Sequence, residues 1–391
     1  MTDWKKIQEN WPVNRELIWL NNCGTTPAGT HIVQAVNLFM EGYARKGLLT
    51  DVAEYADVKQ RIKKILAELL RCHPEELALI HNTSEGMNHI SHGLNLKSGD
   101  EIILPENEYP SNGYPWQQWE EKGVLLKTAP MRKNPEAFYQ QLQTLMTEKT
   151  KVISMSAVHW CTGMPLPLER MGKHCREKGI LFVVDGAQGV GMQPLDMKKM
   201  GIDAMAFSAW KWLMGPLGMG ILYISKEKLP EIRSIFVGTE SVVRDREYLP
   251  YKKELKAGAD RFTISTSDFI NWVYFLASLE YLQNIGFDAV RERIFELNSY
   301  LQERLRMIGF RLLSDEFPDY PTGISVCEKQ DLSSDMLVSR LQEEKIIAAE
   351  RLGRIRLSPH IYLSRHQLDE AVRGLSQAGM AQLYSRAVKG G

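Results

Sequence analysis

Two short apolar runs, each followed by a polar residue, constrain the fold of this chain more than any other feature of its sequence. Residues 181–184 and 204–207 are rich in β-forming side chains and are bounded by glycine or charge, a pattern typical of buried parallel strands. Asp185 follows the first run, and Ser208 and Lys211 follow the second. Because ligands bind beyond the carboxyl ends of the strands in an open α/β sheet, we expect these three side chains to meet at one rim.

Pyridoxal phosphate is the cofactor that this combination of side chains suits. The amine of Lys211 can form a Schiff base, the carboxylate of Asp185 can keep a pyridine nitrogen protonated, and the hydroxyl of Ser208 can bind phosphate. Taken singly, a lysine beside tryptophans often only extends along apolar surface, and an aspartate after a strand often caps the next turn. Gln188 and the glycine-rich GPLGMG segment after the lysine favour the cofactor site.

The composition is that of an ordinary globular enzyme and argues against several other classes. The chain has 391 residues with 48 basic and 48 acidic side chains, so no overall charge favours nucleic acid or an anionic membrane. No apolar run approaches the ~20 residues of a membrane span, and the N-terminal MTDWKKIQENW has no apolar signal core, which predicts a cytoplasmic protein. The 5 cysteines form no CxxC pair, so neither a disulfide framework nor a metal site is expected.

Alternating strand and helix patterns predict an α/β fold in three parts. Residues 1–16 form an N-terminal arm, residues 17–267 a large domain, and residues 268–391 a linking helix with a small C-terminal α+β domain. Within the large domain, residues 17–20 read as a short strand and residues 51–70 as an amphipathic helix.

Further polar residues follow other predicted strands of the large domain. Thr83, Ser84 and the amide of Glu85 lie at a helix start that suits a phosphate, although an ordinary helix cap has the same pattern. Tyr109 can stack on a cofactor ring or pack as a buried tyrosine with a solvated hydroxyl. His159 follows another strand, where it is either a functional group or a structural hydrogen-bond donor.

At this level of detail the sequence resembles a known family. The segment DGAQGVG followed by FSAWKWLMGPLGMG is similar to the D-x-A-Q-x-x-G and S-x-H-K-x-x-G-P-x-G patterns of the fold-type I pyridoxal phosphate enzymes of aminotransferase class V. The resemblance runs from LNNCGTTP to RIRLSPHIYLS, and the family includes cysteine desulfurases, kynureninases, isopenicillin N epimerase-like proteins and carbon–sulfur lyases. It implies a mostly parallel seven-stranded sheet between helices in the large, cofactor-binding domain, and a smaller C-terminal domain.

The resemblance also implies roles for the matching residues. Lys211 would form the Schiff base, Asp185 would pair with the pyridinium nitrogen, and Gln188 would contact the phenolic oxygen of the ring. The remaining residues that would bind the cofactor's phosphate or ring are Thr83, Ser84, Glu85, Tyr109, His159 and Ser208.

Substrate binding and subunit contacts follow from the same comparison. Arg356 matches an arginine that binds the substrate α-carboxylate, a task that suits a guanidinium fork, and Asn22 and Trp160 would line the substrate site. Thr266 matches a threonine that reaches the phosphate of a neighbouring subunit, so the resemblance implies a homodimer with shared active sites.

The departures from the family pattern bear on the reaction. Trp210 and Tyr109 replace two usual histidines, and the segment RLGRIR has neither the loop nor the catalytic cysteine that a cysteine desulfurase carries there. Sulfur transfer through an enzyme persulfide is therefore not expected. The interpretation is an enzyme that binds a small α-amino acid as an imine and removes its Cα proton with Lys211. Aminotransferase chemistry ranks first, carbon–sulfur lysis second, then epimerisation or decarboxylation, and a non-catalytic cofactor-binding protein remains the alternative.

Overall fold

The computed structural model describes residues 2–47, 57–266 and 268–390, with side chains to residue 382. The strands in chain order are β1 (Ile18–Trp19), β2 (Leu77–Ile80), β3 (Glu101–Pro105), β4 (Leu125–Ala129), β5 (Thr150–Ser156), β6 (Leu181–Asp185), β7 (Ala204–Ser208), β8 (Gly220–Ile224), β9 (Arg311–Leu312), β10 (Ser325–Glu328), β11 (Ile346–Ile347), β12 (Ala349–Arg351) and β13 (Arg354–Leu357). The α-helices are α1 (Trp4–Glu9), α2 (Thr30–Lys46), α3 (Val58–Leu70), α4 (Thr83–Gly93), α5 (Pro110–Gln117), α6 (Pro135–Leu145), α7 (Leu168–Lys178), α8 (Phe269–Ile285), α9 (Phe287–Met307), α10 (Ser334–Glu343) and α11 (Arg365–Gly390).

A seven-stranded sheet forms the centre of the described molecule, in the order β2-β8-β7-β6-β5-β3-β4. The pairs from β7 to β4 are all parallel, whereas β8 runs antiparallel to both of its neighbours. The prediction of a mostly parallel seven-stranded sheet in an α/β fold is thus confirmed. The carboxyl ends of β5, β6 and β7 meet at one edge, which is where the polar residues that follow these strands are delivered.

The sheet separates two apolar clusters, which explains why its central strands have continuous apolar sequences. In β6, Leu181 and Val183 belong to one cluster, whereas Phe182 and Val184 belong to the other. Every residue of β6 and β7 is buried, because helices cover both faces of the sheet. Burial on both faces leaves little reason for a polar side chain inside these strands, so the polar residue that ends β6 requires another explanation.

Two glycines allow the N-terminal end of α4 to lie directly against the sheet. A Cβ atom on Gly220 would lie 2.7 Å from the Cα of Asn82, and one on Gly86 would lie 2.5 Å from the Cβ of Ala206. Both separations are shorter than side chains tolerate, so glycine is needed at these close approaches. The start of α4 is thereby held beside the end of β7.

The C-terminal part contains a second, antiparallel sheet in the order β12-β13-β10-β9. The short strand predicted at 17–20 is present as β1, but it pairs with β11, in the register Ile18 to Ile346 and Trp19 to Ile347. The beginning of the predicted large domain therefore contacts the C-terminal part. The sequence patterns predict strands at residues 309–313, 323–327 and 355–358, which correspond to β9, β10 and β13 to within a few residues. They predict no element at β11, β12 or α7.

Two helix predictions differ from the structure at their ends. The helix predicted at 51–70 is present from Val58, and residues 51–56 lie outside the described part of the chain. The sequence pattern also predicts a helix near residues 365–376, and in the structure this helix continues to Gly390. None of the described helices has the combination of length and apolar character that crossing a membrane requires.

Candidate active site

Lys211 lies just beyond the carboxyl end of β7, in the segment that leads to β8. The N-terminal loop holds its main chain. The hydroxyl of Thr26 donates to the Lys211 carbonyl at 2.7 Å, and the Thr26 amide donates to the Trp210 carbonyl at 2.9 Å. Burial lowers the pKa of the Lys211 amine, while the charge of Asp185 opposes that shift. An amine with a lowered pKa is neutral more often at physiological pH and can then accept a proton.

Asp185 is the last residue of β6 and is only 3% exposed. Its Oδ1 accepts a hydrogen bond from the Ala187 amide at 2.8 Å. Burial, assisted by the charge of Glu108, raises the pKa of this carboxyl to about 7, and the amine of Lys211 and the hydrogen bond from Ala187 limit the rise. Because desolvation disfavours the charged form of this carboxyl, a cation that binds beside it strongly stabilises that charged form.

Glu108 is a site residue that the sequence patterns did not identify. Its carboxylate accepts hydrogen bonds from the Ser156 amide at 2.8 Å, from the Ser156 hydroxyl, and from the Tyr109 amide at 2.8 Å. Burial raises its pKa, and these hydrogen bonds oppose that shift. Because Ser156 pairs with Asp185 across β5 and β6, Glu108 lies near Asp185, and its charge raises the pKa of the Asp185 carboxyl.

The start of α4 provides hydroxyls on one side of the site. Thr83 and Ser84 lie in the first turn of the helix, where the helix dipole is positive, and the Ser84 hydroxyl is 2.7 Å from that of Ser111. The Ser208 hydroxyl is buried and has no hydrogen-bond partner among the described residues. Since a buried polar atom without a partner is costly, this hydroxyl is suited to a ligand oxygen.

Aromatic and amide side chains form another wall. Tyr109 and Trp160 contact each other edge to face with ring centroids 5.4 Å apart, and the Lys211 Nζ lies 5.6 Å from the centroid of the Tyr109 ring. The Trp160 indole is fixed by donating to the Asn107 carbonyl at 2.7 Å. Gln188 donates to the Cys23 carbonyl at 3.0 Å and accepts from the Trp212 indole at 3.1 Å.

Arg356 enters the site from β13 and is 3% exposed. Its Nη1 donates to the Trp160 carbonyl at 2.9 Å, and its buried Nε has no partner among the described residues. A guanidinium with an unused donor can bind a carboxylate by donating a hydrogen bond to it. Arg351, which sequence reasoning did not select, lines the same pocket.

The pocket has a volume of about 460 Å³ and brings most of the predicted residues together. The predicted residues that line it are Thr83, Ser84, Tyr109, Trp160, Asp185, Gln188, Ser208, Lys211 and Arg356. Lining residues that were not predicted include Cys23, Asn82, Ser111, Trp210 and Arg351. Among these, Trp210 had been noted only as a departure from the family pattern, and the others carry no signal in the sequence alone.

Three predicted residues are used for packing or helix capping, whereas Thr266 was predicted to contact the site of a neighbouring subunit and not this one. The Asn22 amide donates to the Ser358 carbonyl at 2.7 Å and accepts from the Tyr362 hydroxyl at 2.7 Å, so it is used in packing. The Glu85 amide donates to the Asn82 side chain at 2.9 Å, which is the ordinary cap of α4. His159 is fully buried between Thr162 and the Glu106 carbonyl, and burial lowers its pKa to about 4, so it is a neutral structural group. Thr266 is exposed and does not line the pocket.

The sequence profile of the family described as Aminotransferase class-V matches residues 18–374. The chain belongs to the aminotransferase class V family. A probable cysteine desulfurase of Pyrococcus abyssi is 27% identical over 386 residues, covering 93% of this chain and 94% of that protein. An uncharacterized aminotransferase of Schizosaccharomyces pombe is 24% identical over 308 residues, covering 78% of this chain and 77% of that protein.

Solved structures have the same fold. The complex of the cystine C–S lyase C-DES with its reaction product cysteine persulfide has a TM-score of 0.87 at 23% identity, covering 94% of this chain and 99% of that one. The apo cysteine desulfurase of Thermococcus onnurineus NA1 has a TM-score of 0.85 at 22% identity, covering 96% and 98%. These similarities confirm the predicted fold of the class V enzymes.

Class V enzymes depend on pyridoxal phosphate, and the residues of this pocket fit that cofactor. The Lys211 amine and the buried Asp185 carboxyl lie in one cavity, as a Schiff base and a pyridinium partner require. The unpartnered Ser208 hydroxyl lies near the first turn of α4, where phosphate oxygens are favoured. This class V chain is therefore a pyridoxal phosphate-dependent enzyme.

Proposed function

We propose that this enzyme is a carbon–sulfur lyase that removes a sulfur leaving group from Cβ of a small α-amino acid. Its relatives are named cysteine desulfurases, and a structural neighbour over nearly its whole length is a cystine C–S lyase. The observation that carries the proposal is the form of the β12–β13 hairpin, which has no cysteine to receive sulfur. Sequence reasoning ranked transamination first, and the same residues could support it, so the products decide between the two reactions.

The hairpin closes in a two-residue turn. Arg351 pairs with Arg354, and the two residues between them, Leu352 and Gly353, have φ angles of 52° and 80°. Two consecutive positive φ angles are those of a type I′ turn, the tight connection that suits twisted antiparallel strands. No loop extends from this turn into the pocket. The sulfur would therefore leave as a small molecule rather than on a protein thiol at this position.

The roles of the chain's own groups follow from their positions. Arg356 would bind the α-carboxylate and orient the Cα–H bond towards Lys211. The Nζ of Lys211, with its lowered pKa, would accept the Cα proton, and Asp185 would hold a proton on the facing ring nitrogen by its negative charge. When bound, pyridoxal phosphate supplies the electron sink for the bonds at Cα.

The proposed reaction balances without an oxidant or reductant. The Cα–H proton passes to Nζ of Lys211, the Cβ–S bond breaks, and its electron pair leaves on sulfur, which takes up a proton. One water molecule then converts the three-carbon remainder to pyruvate and ammonia. Transamination would instead give a keto acid that keeps its sulfur and would leave the amino group on the cofactor.

The products and the carboxylate site can be tested together. With L-cystine or an S-alkyl-L-cysteine, we expect pyruvate and ammonia in equal amounts, measured by enzyme-coupled assay and mass spectrometry. Arg356→Gln should raise KM by about 10- to 100-fold, because a bidentate charged contact to the substrate is lost. Cofactor retention, measured from visible absorbance, should change far less. A sulfur-containing keto acid as the main product would favour transamination, and equal loss of cofactor and substrate binding would place the carboxylate elsewhere.

We further propose that the enzyme is a homodimer with shared active sites. Thr266 is exposed in the single subunit, which leaves it free to contact a neighbour. Large apolar side chains are also exposed on α2, where a partner could cover them. These side chains are Val33, Leu38, Met40 and Tyr43.

The dimer prediction is checked by sedimentation equilibrium and by complementation. Mixing Lys211→Ala subunits with Thr266→Val subunits should restore activity to about a quarter of wild type at limiting cofactor. In a random mixture half of the dimers contain one subunit of each kind, and in such a dimer one of the two shared sites has both the wild-type lysine and the wild-type threonine. An active monomer, or a mixture no more active than its components, would contradict shared sites.

A further inference from the structure

The side-chain amide of Gln188 is held in one orientation by two neighbours at the wall of the pocket. Its Nε2 donates to the Cys23 carbonyl at 3.0 Å, and its Oε1 accepts from the Trp212 indole at 3.1 Å. A carbonyl oxygen can only accept and an indole N–H can only donate, so both contacts require the same orientation of the amide. A flipped amide would lose both hydrogen bonds at a position that is only 5% exposed to water.

One hydrogen of the Gln188 amide remains for a ligand. The Nε2 group carries two hydrogens, and within the described chain its acceptor is the Cys23 carbonyl alone. Gln188 lines the cavity that also contains Asp185, Ser208 and Lys211. The second N–H is therefore suited to an acceptor atom of a bound molecule, whereas the oxygen of the amide is already used by the indole.

The Trp212 indole that sets this orientation is itself firmly placed. It is buried and stacks on the His360 ring, with ring centroids 5.7 Å apart. A Cβ atom on Gly323 would lie 2.7 Å from Cη2 of Trp212, so glycine is needed there to leave room for the indole. The C-terminal part of the chain thus supplies a fitted socket for the Trp212 ring.

His360 also holds the main chain of Trp212, and its two partners fix the direction of that hydrogen bond. The His360 Nδ1 accepts from the Ile361 amide at 2.8 Å, so the hydrogen of the neutral ring is on Nε2, which donates to the Trp212 carbonyl at 3.2 Å. Burial lowers the pKa of His360 to about 3, so the ring is neutral at physiological pH. Directed hydrogen bonds therefore connect His360 through Trp212 to the amide of Gln188.

We propose that Trp212 is a positioning residue, which turns the free N–H of Gln188 towards the phenolic oxygen of the bound cofactor. Pyridoxal phosphate has acceptor oxygens on its ring and on its phosphate. The Ser208 hydroxyl and the first turn of α4 suit the phosphate, so the ring oxygen is the acceptor that remains for Gln188. The proposal goes beyond the lyase reaction, because it concerns the cofactor before any substrate binds.

Loss of the indole donor has a specific consequence. Without it, Oε1 of Gln188 is no longer held, and the amide can present either its N–H or its carbonyl to the pocket. A carbonyl that faces an ionised ring oxygen repels it, so the contact is weakened even though Gln188 is still present. The effect of Trp212 must therefore act through Gln188 and through the ring oxygen, which a merely structural role would not require.

A matched pair of ligands isolates the ring oxygen. Pyridoxamine 5′-phosphate has the ring, the phosphate and the phenolic oxygen but cannot form the link to Lys211, and its 3-deoxy analogue lacks only that oxygen. By isothermal titration calorimetry of the cofactor-free protein, we expect the first to bind about tenfold more tightly, as one charge-assisted hydrogen bond provides.

Replacing Trp212 by 3-benzothienyl-L-alanine removes the donor alone, because sulfur takes the place of the indole N–H in a ring of nearly the same shape. The preference for the ring oxygen should then fall to about twofold or less, and Trp212→Phe should have the same effect with a smaller ring. Gln188→Leu should also abolish the preference. Adding either Trp212 change to Gln188→Leu should cause no further loss, because the two residues act as one unit.

Trp119 provides the control position. Its buried indole donates to the Ser91 hydroxyl at 3.0 Å and does not line the pocket, so the same replacement there should leave the preference at its wild-type value. An unchanged preference in both Trp212 variants, an equal fall in affinity for both ligands, or the absence of a preference in the wild type would overturn the proposal. No amino acid is present in these titrations, so failure of the lyase proposal would leave their outcome unaffected.

Discussion

Replacing Lys211 by alanine is expected to lower turnover by about 10³-fold or more, because a single amine provides both the covalent link and the base. The lysine occupies a wall of the pocket that also contains Asp185 and Arg356, and its lowered pKa suits a group that must accept a proton. Activity is measured as pyruvate release. In parallel, the absorbance near ~420 nm that a bound lysine–cofactor link gives, and its bleaching by borohydride, should be lost.

Two controls separate chemistry from folding. Lys211→Arg keeps a positive charge in the pocket but cannot form the link, and it should be as inactive as the alanine variant. Added methylamine should restore part of the activity of Lys211→Ala, because a small amine can enter the space that the side chain leaves. Wild-type turnover by Lys211→Ala would refute the assignment of the base, whereas unfolding of both variants by circular dichroism would point to a structural role.

The central strands could be predicted from the sequence because they are buried on both faces. In β6 and β7 every residue except the last lies in one of two apolar clusters, so the apolar sequence of each strand is uninterrupted up to the polar residue that ends it. That contrast also located Asp185, Ser208 and Lys211. The apolar run at residues 77–80 predicts a strand for the same reason, and β2 has those bounds, Leu77–Ile80.

Residues whose roles depend on neighbours distant in sequence could not be assigned in this way. Asn22 and His159 follow strands, as site residues do, but contacts with Tyr362 and with the Glu106 carbonyl commit them to packing. The pairing of β1 with β11 joins segments more than 300 residues apart, and no local pattern records it.

Arg351 and Glu108 are residues at or beside the pocket that the sequence patterns did not identify. A charged residue next to a glycine in a hairpin is typical of a solvated turn, so nothing in the letters RLGRIR distinguishes the arginine that enters the pocket from the one that pairs with Glu328. Glu108 lies among other polar residues in PENEYPSN, and only the fold shows that its carboxylate is held by Ser156 beside Asp185. Both assignments require the register of strands, which sequence periodicity leaves open.

Replacing Asp185 by asparagine should change the pH dependence of stability in the cofactor-free protein. The carboxyl has a folded pKa of about 7 against an ordinary value of 3.8, so the folded state binds its proton more tightly than the unfolded state does. Between these values the unfolded chain is ionised first, and folding stability falls as the pH rises. The loss amounts to as much as about 4 kcal/mol, at 1.36 kcal/mol per unit. Asparagine does not titrate, so this loss should be absent from Asp185→Asn.

The measurement is urea unfolding of both cofactor-free proteins from pH 4 to pH 8. The stability of Asp185→Asn relative to wild type should rise across this window and level off above pH 7, and parallel curves would contradict the raised pKa. In the cofactor-loaded protein the sign should reverse: the variant should bind pyridoxal phosphate at least about tenfold more weakly, because an amide cannot balance a protonated ring nitrogen. The same buried carboxyl would then destabilise the empty enzyme and stabilise the loaded one. This reversal is expected of a group retained for binding, since a group retained for packing would affect both forms alike.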